Sequence, residues 1–265
     1  MLHSTTIKNK IQKAVGPVCA LAFWVLVWKI FSLFIGKEIL LPSPEVVFFK
    51  LMELVTLGSF WKIIGTSFLN IMGGFLLGVL CGCVLAAATC AASFAHALVA
   101  PVMNVMKATP IASFIILAMV WLKQGDIAVF AVFLMVMPLI WGNVTAGIKG
   151  ADRALLEMAQ AFRFSKSKIL ACIYLPSVLP FLLSGATTAI GFAWKAGVAA
   201  EVLATPRHSI GAQMHNARVY LEMPSLFAWT VVVVLLSMLI EWAIKRLANA
   251  FSKERGHRYA PAPPK

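Results

Sequence analysis

The side chains that could do chemistry in this sequence are few, and they fall into two groups. The first is the run Glu157-Met158-Ala159-Gln160-Ala161-Phe162-Arg163, a polar island between two long apolar stretches. Leu155, Met158, Ala159 and Phe162 recur at i, i+3, i+4 and i+7, the spacing of one apolar helix face. Glu157, Gln160 and Arg163 lie off that face. A short helix with one apolar face and no core of its own needs a surface to lie on, either a partner's groove or lipid headgroups. The second group is Lys107, Pro110, Trp194, Lys195 and Glu201, set within or at the edge of apolar stretches. An ionisable group at membrane depth is costly and marks a candidate solute path. For Lys195 three quieter roles compete: snorkelling outward, pairing with Glu201, or stacking on an aromatic ring.

Catalysis finds no support among these residues. Cys81-Gly-Cys83 lacks metal spacing and any nearby histidine or carboxylate, so no metal site is expected and the five cysteines read as small packing residues. The segment 201–224 holds Arg207, His208, His215, Arg218 and Glu222, without the tight histidine spacing a metal needs. It reads as a docking surface or a solvated loop. A G-x-x-x-x-G-K-[ST] phosphate loop is absent, so any ATP and magnesium would be held by a partner and no cofactor by this chain.

The elements that carry these residues follow from composition. Of 265 residues, 61% are hydrophobic and 12% charged, with mean hydropathy +0.88. A soluble domain sits nearer half apolar and a quarter charged. The excess is grouped into windows that can cross a bilayer as helix, and alternation of period two is missing. The expectation is an all-α polytopic membrane protein with six transmembrane helices near 16–35, 61–89, 97–122, 126–147, 178–200 and 225–245. The net charge of +13 is distributed by side. With the N-terminus inside, inner segments hold Lys8, Lys10, Lys13, Lys149, Arg153, Arg163, Lys166, Lys168 and the basic residues from Lys245 to Lys265, fourteen of the 23 cations. That is the positive-inside bias, so the charge encodes orientation in a lipid bilayer, with both termini cytoplasmic, and nucleic acid is not a partner.

Three local patterns refine this plan. Ser43 and Pro44 make a helix start for an amphipathic segment on the outer surface, which closes an N-terminal region of residues 1–60. Gly74, Gly78 and Gly82 recur every four residues and give one smooth helix face for close packing. Lys107-Ala108-Thr109-Pro110 breaks the third span, because proline removes a donor and pushes Thr109 out of helical geometry. In the inner loop 152–176, Asp152 caps a helix running to Phe164, Ser165 and Ser167 permit a turn, and residues 168–175 form a second short helix ending at Leu175-Pro176. A basic tail, 247–265, follows the core of residues 61–246.

With those residues in hand, Glu157-x-Ala159 followed at fixed distance by Ile173-x-Leu175-Pro176 resembles the EAA motif of ATP-binding-cassette importer permeases. That motif reads E-A-A, three residues, G, nine residues, I-x-L-P. Leu41-Pro42-Ser43-Pro44 and Gly191-Phe192-Ala193-Trp194-Lys195 to Ala200-Glu201 are similar to the nitrate, sulfonate and taurine branch, over roughly residues 40–246. The resemblance implies a type I importer permease fold in a bacterial inner membrane. It also implies a second permease copy, two ATPase subunits docked at Leu155, Glu157, Met158, Ala159, Phe162, Arg163, Ile173, Leu175 and Pro176, and an extracytoplasmic binding protein. The solute it implies is a small anion or zwitterion. An ion-coupled secondary transporter of a small anion is the rival reading, but it calls for carboxylates deep in the spans. Met158 replaces the first motif alanine. Arg163 replaces the motif glycine and is expected either to prolong the helix or to bend it at strain.

Overall fold

The computed structural model describes the backbone of residues 2–256 and the side chains from Cys19 to Arg246. The basic side chains of Lys8, Lys10, Lys13, Lys253, Arg255, Arg258 and Lys265, and with them the basic tail 247–265, lie outside the described side chains. The described backbone is helical, with α1 Leu2–Ile35, α2 Pro44–Thr56, α3 Gly58–Ala91, α4 Ser93–Ala108, α5 Ile111–Trp121, α6 Gln124–Lys149, α7 Arg153–Ala161 and α8 Lys166–Ile169. A π-helical turn, Leu170–Tyr174, leads into α9 Leu175–Ala204, followed by α10 Ile210–Val219 and α11 Met223–Gly256. Among the described residues, four helices are long and apolar enough to cross a membrane, and α4 with α5 adds a fifth, bent by 104°. The apolar part of α1, Cys19–Ile35, is shorter, so the sixth crossing stands as an expectation.

By its contacts the chain forms two compact units, residues 1–61 with 213–232, and residues 62–212 with 233–265. In the first, the Leu41–Pro44 turn is tied back to α1 by two side chains. Trp28 Nε1–H donates to the Pro42 carbonyl at 3.1 Å and Ser32 Oγ–H to the Leu41 carbonyl at 3.0 Å. Lys29 Nζ lies 2.7 Å from Glu45 Oε2, in the first turn of α2. The Lys29 ammonium, with backbone and Ser43 donors, holds the Glu45 carboxyl below its ordinary range. This tie is therefore present at neutral pH and is lost only as pH falls through the lowered value. Ser43 occupies the N-cap position with Pro44 behind it, though its hydroxyl makes no capping hydrogen bond.

The second unit is built on three helices in close contact. Gly74, Gly78 and Gly82 of α3 face α6, and a Cβ at Gly78 would sit 2.7 Å from Val136 Cβ. A Cβ at Gly82 would sit 2.9 Å from Ile140 Cβ. Since real carbon contacts begin nearer 3.5 Å, only glycine lets these backbones approach. α9 runs antiparallel to α6: Gly147 meets Val178 and Phe181, Gly185 meets Asn143, and Gly197 meets Val132 and, on α3, Ile71. At the break between α4 and α5, Thr109 is extended (φ −81, ψ 131) and its hydroxyl donates to the Val105 carbonyl at 2.8 Å. The α5 helix then packs by Ile115 and Ala118 against Ala128 and Ala131 of α6 and Ala200 and Ala204 of α9.

The loop helix expected to end at Pro176 does not end there. Residues 166–204 form one continuous helical path, with Pro176 inside it rather than at its end. The neighbouring glycines of α3 give a controlled test of the packing. Gly78→Ala should cost about 1–3 kcal/mol of stability through overpacking. Gly73→Ala, with open space around its Cβ position, should be neutral or slightly stabilising in the same helix. Thermal unfolding of the detergent-solubilised protein measures both, and equal melting temperatures for the two variants would contradict the packing described.

Candidate functional site

The loop 152–176 is anchored on one face and open on the other. Asp152 is the N-cap of α7 and accepts a hydrogen bond from the Ala154 N–H at 2.8 Å. Ala159 is fully buried and joins Ala151 and Ile173 in a small apolar cluster, with Leu156, Phe164, Ile169 and Tyr174 packed around it. Leu155, Met158 and Phe162 point the other way, 44%, 42% and 72% exposed. The stripe expected to be a single docking face is therefore divided. Ala159 belongs to the anchor, because its turn of α7 rests on Ile173, while Leu155, Met158 and Phe162 form an outward ridge. Glu157 is also exposed, and among the described residues it makes no ion pair.

Arg163 settles how the loop turns. Phe164 N–H bonds the Ala159 carbonyl at 2.9 Å and Arg163 N–H bonds the Gln160 carbonyl at 3.0 Å, the two bonds of a Schellman turn. Its left-handed position is filled by Arg163, at φ 48. The helix therefore bends rather than continuing. Glycine suits this position in the motif because it takes positive φ without clash, and a side chain there costs about 1–2 kcal/mol. The turn throws Phe164 back onto the cluster, where Lys168 Nζ lies 4.1 Å from its ring centre.

The second half of the loop contains a feature that the sequence reading missed. Pro176 cannot donate to the Cys172 carbonyl, and its ring presses on the preceding turn. The helix widens there, so that Leu175 N–H reaches back to the Leu170 carbonyl. Ser177 Oγ–H takes up the Ile173 carbonyl at 2.8 Å. Pro176 was the available signal, since such widened turns relieve helices at interruptions. Leu170 and Leu175 are exposed and, with Cys90, Ile148, Tyr174 and Val178, line an apolar groove of about 640 Å³ at the inner ends of α3 and α6.

The candidate path residues separate into buried and open ones. Trp194 is 1% exposed and its Nε1–H donates to the Val233 carbonyl at 3.0 Å. Glu201 is fully buried, bonded to Ser67 and Gly211. Neither faces an open path, because both lie on the side of α9 packed within the chain. Lys195 is exposed, and it does not pair with Glu201, which lies six residues on, about 120° round the helix, on the buried side. It shares an uncovered stripe of α9 with Phe181, Ser184, Thr188, Phe192, Ala199 and Leu203. Lys107 is exposed too, its Nζ 5.6 Å from the Trp141 ring centre. Trp141 is held in turn by Nε1–H donation to Thr89 Oγ1 at 3.0 Å and by stacking on His96. Pro110 is exposed at the bend beside Lys107. Among the described residues, no group of three or more potential ligands could hold a metal ion.

Apolar helices long enough to cross a bilayer, one of them a bent pair, define a helical membrane protein. Residues 74–253 match the family described as "Binding-protein-dependent transport system inner membrane component". The chain belongs to this family. It is 22% identical over 268 residues to the taurine transport system permease protein TauC of Escherichia coli, covering 96% of each chain. It is 24% identical over 217 residues to the bicarbonate transport system permease protein CmpB of Synechococcus elongatus, covering 77% of each. Among solved structures, the inward-facing MetNI methionine ABC transporter matches 75% of this chain and 96% of its own, at 19% identity and TM-score 0.58, a likeness of fold. The chain is a permease-type transport subunit and not an enzyme.

Two substitutions test the turn. Arg163→Gly should raise the stability of the solubilised protein by about 1 kcal/mol as left-handed strain is removed. It should also leave capture of an ATPase subunit intact, whereas Arg163→Glu should weaken that capture. Pull-down of the ATPase by all three forms alike would show that this position does not bear on the partner.

Proposed function

We propose that two copies of this chain form the translocation path of an ATP-binding-cassette importer, with both termini cytoplasmic and one ATPase subunit docked on each α7. The observation that supports this most is the outward ridge of Leu155, Met158 and Phe162. Three large apolar side chains stand clear of a helix whose opposite face is locked by Ala159, Ile173 and Phe164. A ridge of this kind fits a groove on a folded partner. Glu157, free beside the ridge, supplies a charge-assisted bond to that groove. Ile173, Leu175 and Pro176 transmit movement of α7 directly into α9.

The α9 stripe supports a path that takes small anions or zwitterions. Ser184, Thr188 and Lys195 are polar groups on a membrane-crossing face that the chain's own helices do not cover. Polar groups at that depth belong against protein or water rather than lipid. Lys195 and Lys107 are the cations on offer, and exposed carboxylates are missing from the described part of the stripe. The relatives named for taurine and bicarbonate fit the same chemistry. An extracytoplasmic binding protein would deliver the solute to the opposite end, with the exposed Arg207 and His208 of the segment 201–224 as part of its docking surface.

The test is reconstitution. Glu157→Lys and Phe162→Ala should each reduce co-purification of the ATPase at least about tenfold, in the range of interface anchors. ATP-driven uptake should fall with it. Lys195→Gln should leave the complex assembled but raise the KM for an anionic solute about tenfold, the scale of one charge-assisted hydrogen bond. Uptake that persists on a proton gradient without ATP would overturn the reading in favour of a secondary transporter.

A further inference from the structure

The buried carboxylate of Glu201 is unusual for a membrane-crossing helix and is not used by the path described above. It lies one turn before the end of α9 that is remote from the inner loop, and it is fully buried. Its Oε2 accepts from Ser67 Oγ–H of α3 at 2.8 Å and from the Gly211 N–H of α10 at 3.1 Å. Ser67 Oγ accepts in turn from the Ile210 N–H at 2.9 Å. Ser209 Oγ accepts from the Ala212 N–H at 3.1 Å while donating to the Pro206 carbonyl. The first three N–H groups of α10 are thus all taken by side chains, two of them belonging to other helices. Gly211 lies so close to the Cβ and carbonyl carbon of Glu201 and to Val202 N that no larger residue fits. Glu201 Oε1 is left without a partner among the described residues, and no cation pairs with the carboxylate.

Capping alone does not account for this arrangement. Ser209 already occupies the local capping position, and a serine there performs that task without burying a carboxyl group. A carboxyl buried without a cation is costly unless hydrogen-bonded, and so depends on those donors staying in place. The N–H groups at the start of α10 serve it only while α10 holds its present position. The arrangement is therefore stable in one geometry of α3, α9 and α10 and penalised in others.

We propose that Glu201 is a positioning residue for transport, a latch that fixes the far end of α9 to α3 and to the start of α10. Displacement of the inner loop then moves the exposed stripe as a rigid unit instead of being lost in bending of α9. The inference rests on the reading that this stripe lines the path. At its inner end α9 begins in the π-turn at Leu170–Tyr174 and carries Pro176 and Pro180, so compliance is concentrated there and stiffness at Glu201.

The experiment uses the full complex with its ATPase and reads thiol labelling at Leu203→Cys, an exposed position two residues beyond the latch. Labelling by a membrane-impermeant maleimide is compared between nucleotide-free and vanadate-trapped states, as the increment over the chain with its native cysteines. With the latch intact, the two states should differ in labelling rate by about fivefold or more, the effect of about 1 kcal/mol in accessibility. Glu201→Ala and Ser67→Ala should bring the two rates together while ATP hydrolysis continues. Glu201→Gln, whose amide oxygen can still accept both hydrogen bonds, should fall between. State-dependent labelling that survives Ser67→Ala and Glu201→Ala overturns the latch, as does equal loss of labelling response and hydrolysis, which marks a purely structural role. If Glu201→Ala does not assemble, Ser67→Ala decides alone, since it removes one donor and keeps the carboxylate on Gly211. Failure of the unsubstituted chain to bind any ATPase would instead refute the coupling role of α7, which separates the two readings.

Discussion

The burial of Ala159 against Ile173 is the contact on which the loop between α6 and α9 depends. It joins the middle of α7 to the residues leading into α9, so that a nine-residue helix with no core of its own acquires a fixed angle. Alanine is required for geometric reasons: a longer side chain would lift α7 off the cluster and rotate Leu155, Met158 and Phe162 away from their present direction. The Schellman turn at Arg163 completes the anchor by folding Phe164 underneath. A helix held on one side and apolar on the other fits the proposed role of passing a docked partner's movement to the rest of the chain.

That movement has a stiff body to act on. Glycines at 74, 78, 82, 185 and 197 let α3, α6 and α9 meet at backbone distance, where close packing replaces the hydrophobic effect that lipid cannot supply. Polar tethers are spent at few points: Trp194 to Val233, Trp141 to Thr89, and Glu201 to Ser67 and Gly211. Proline interrupts the regular helix at two places, Thr109-Pro110 and around Leu170–Pro176.

Much of this was legible in the sequence, for identifiable reasons. Hydropathy and the distribution of lysine and arginine gave the membrane class, because a bilayer imposes length and charge rules that do not depend on tertiary contacts. The four-residue glycine spacing named a packing face, and Pro110 named a break. The helix of the inner loop followed from its period. What failed were statements that needed to know which side of a helix meets protein. The i, i+3, i+4, i+7 stripe could not reveal that Ala159 is turned inward while its neighbours stand outside, since both environments favour apolar residues. Trp194 adjoins Lys195 and Glu201 lies six residues on, yet both are buried while Lys195 is exposed, because α9 is covered on one side only. The Ser67–Glu201–Gly211 tether joins residues 134 positions apart and left no local signal. Arg163 at positive φ was foreseeable only as a departure from the motif glycine.

The central claim is that the outward ridge of α7 seats in an ATPase subunit. Photo-crosslinking residues placed singly at Leu155, Met158 and Phe162, in membranes containing the assembled transporter, test it most directly. The account predicts that all three capture the ATPase, and that a crosslinker at Phe164, folded under the loop, captures only this chain. Crosslinks from the ridge to lipid alone, with the ATPase captured from another inner segment, would contradict it.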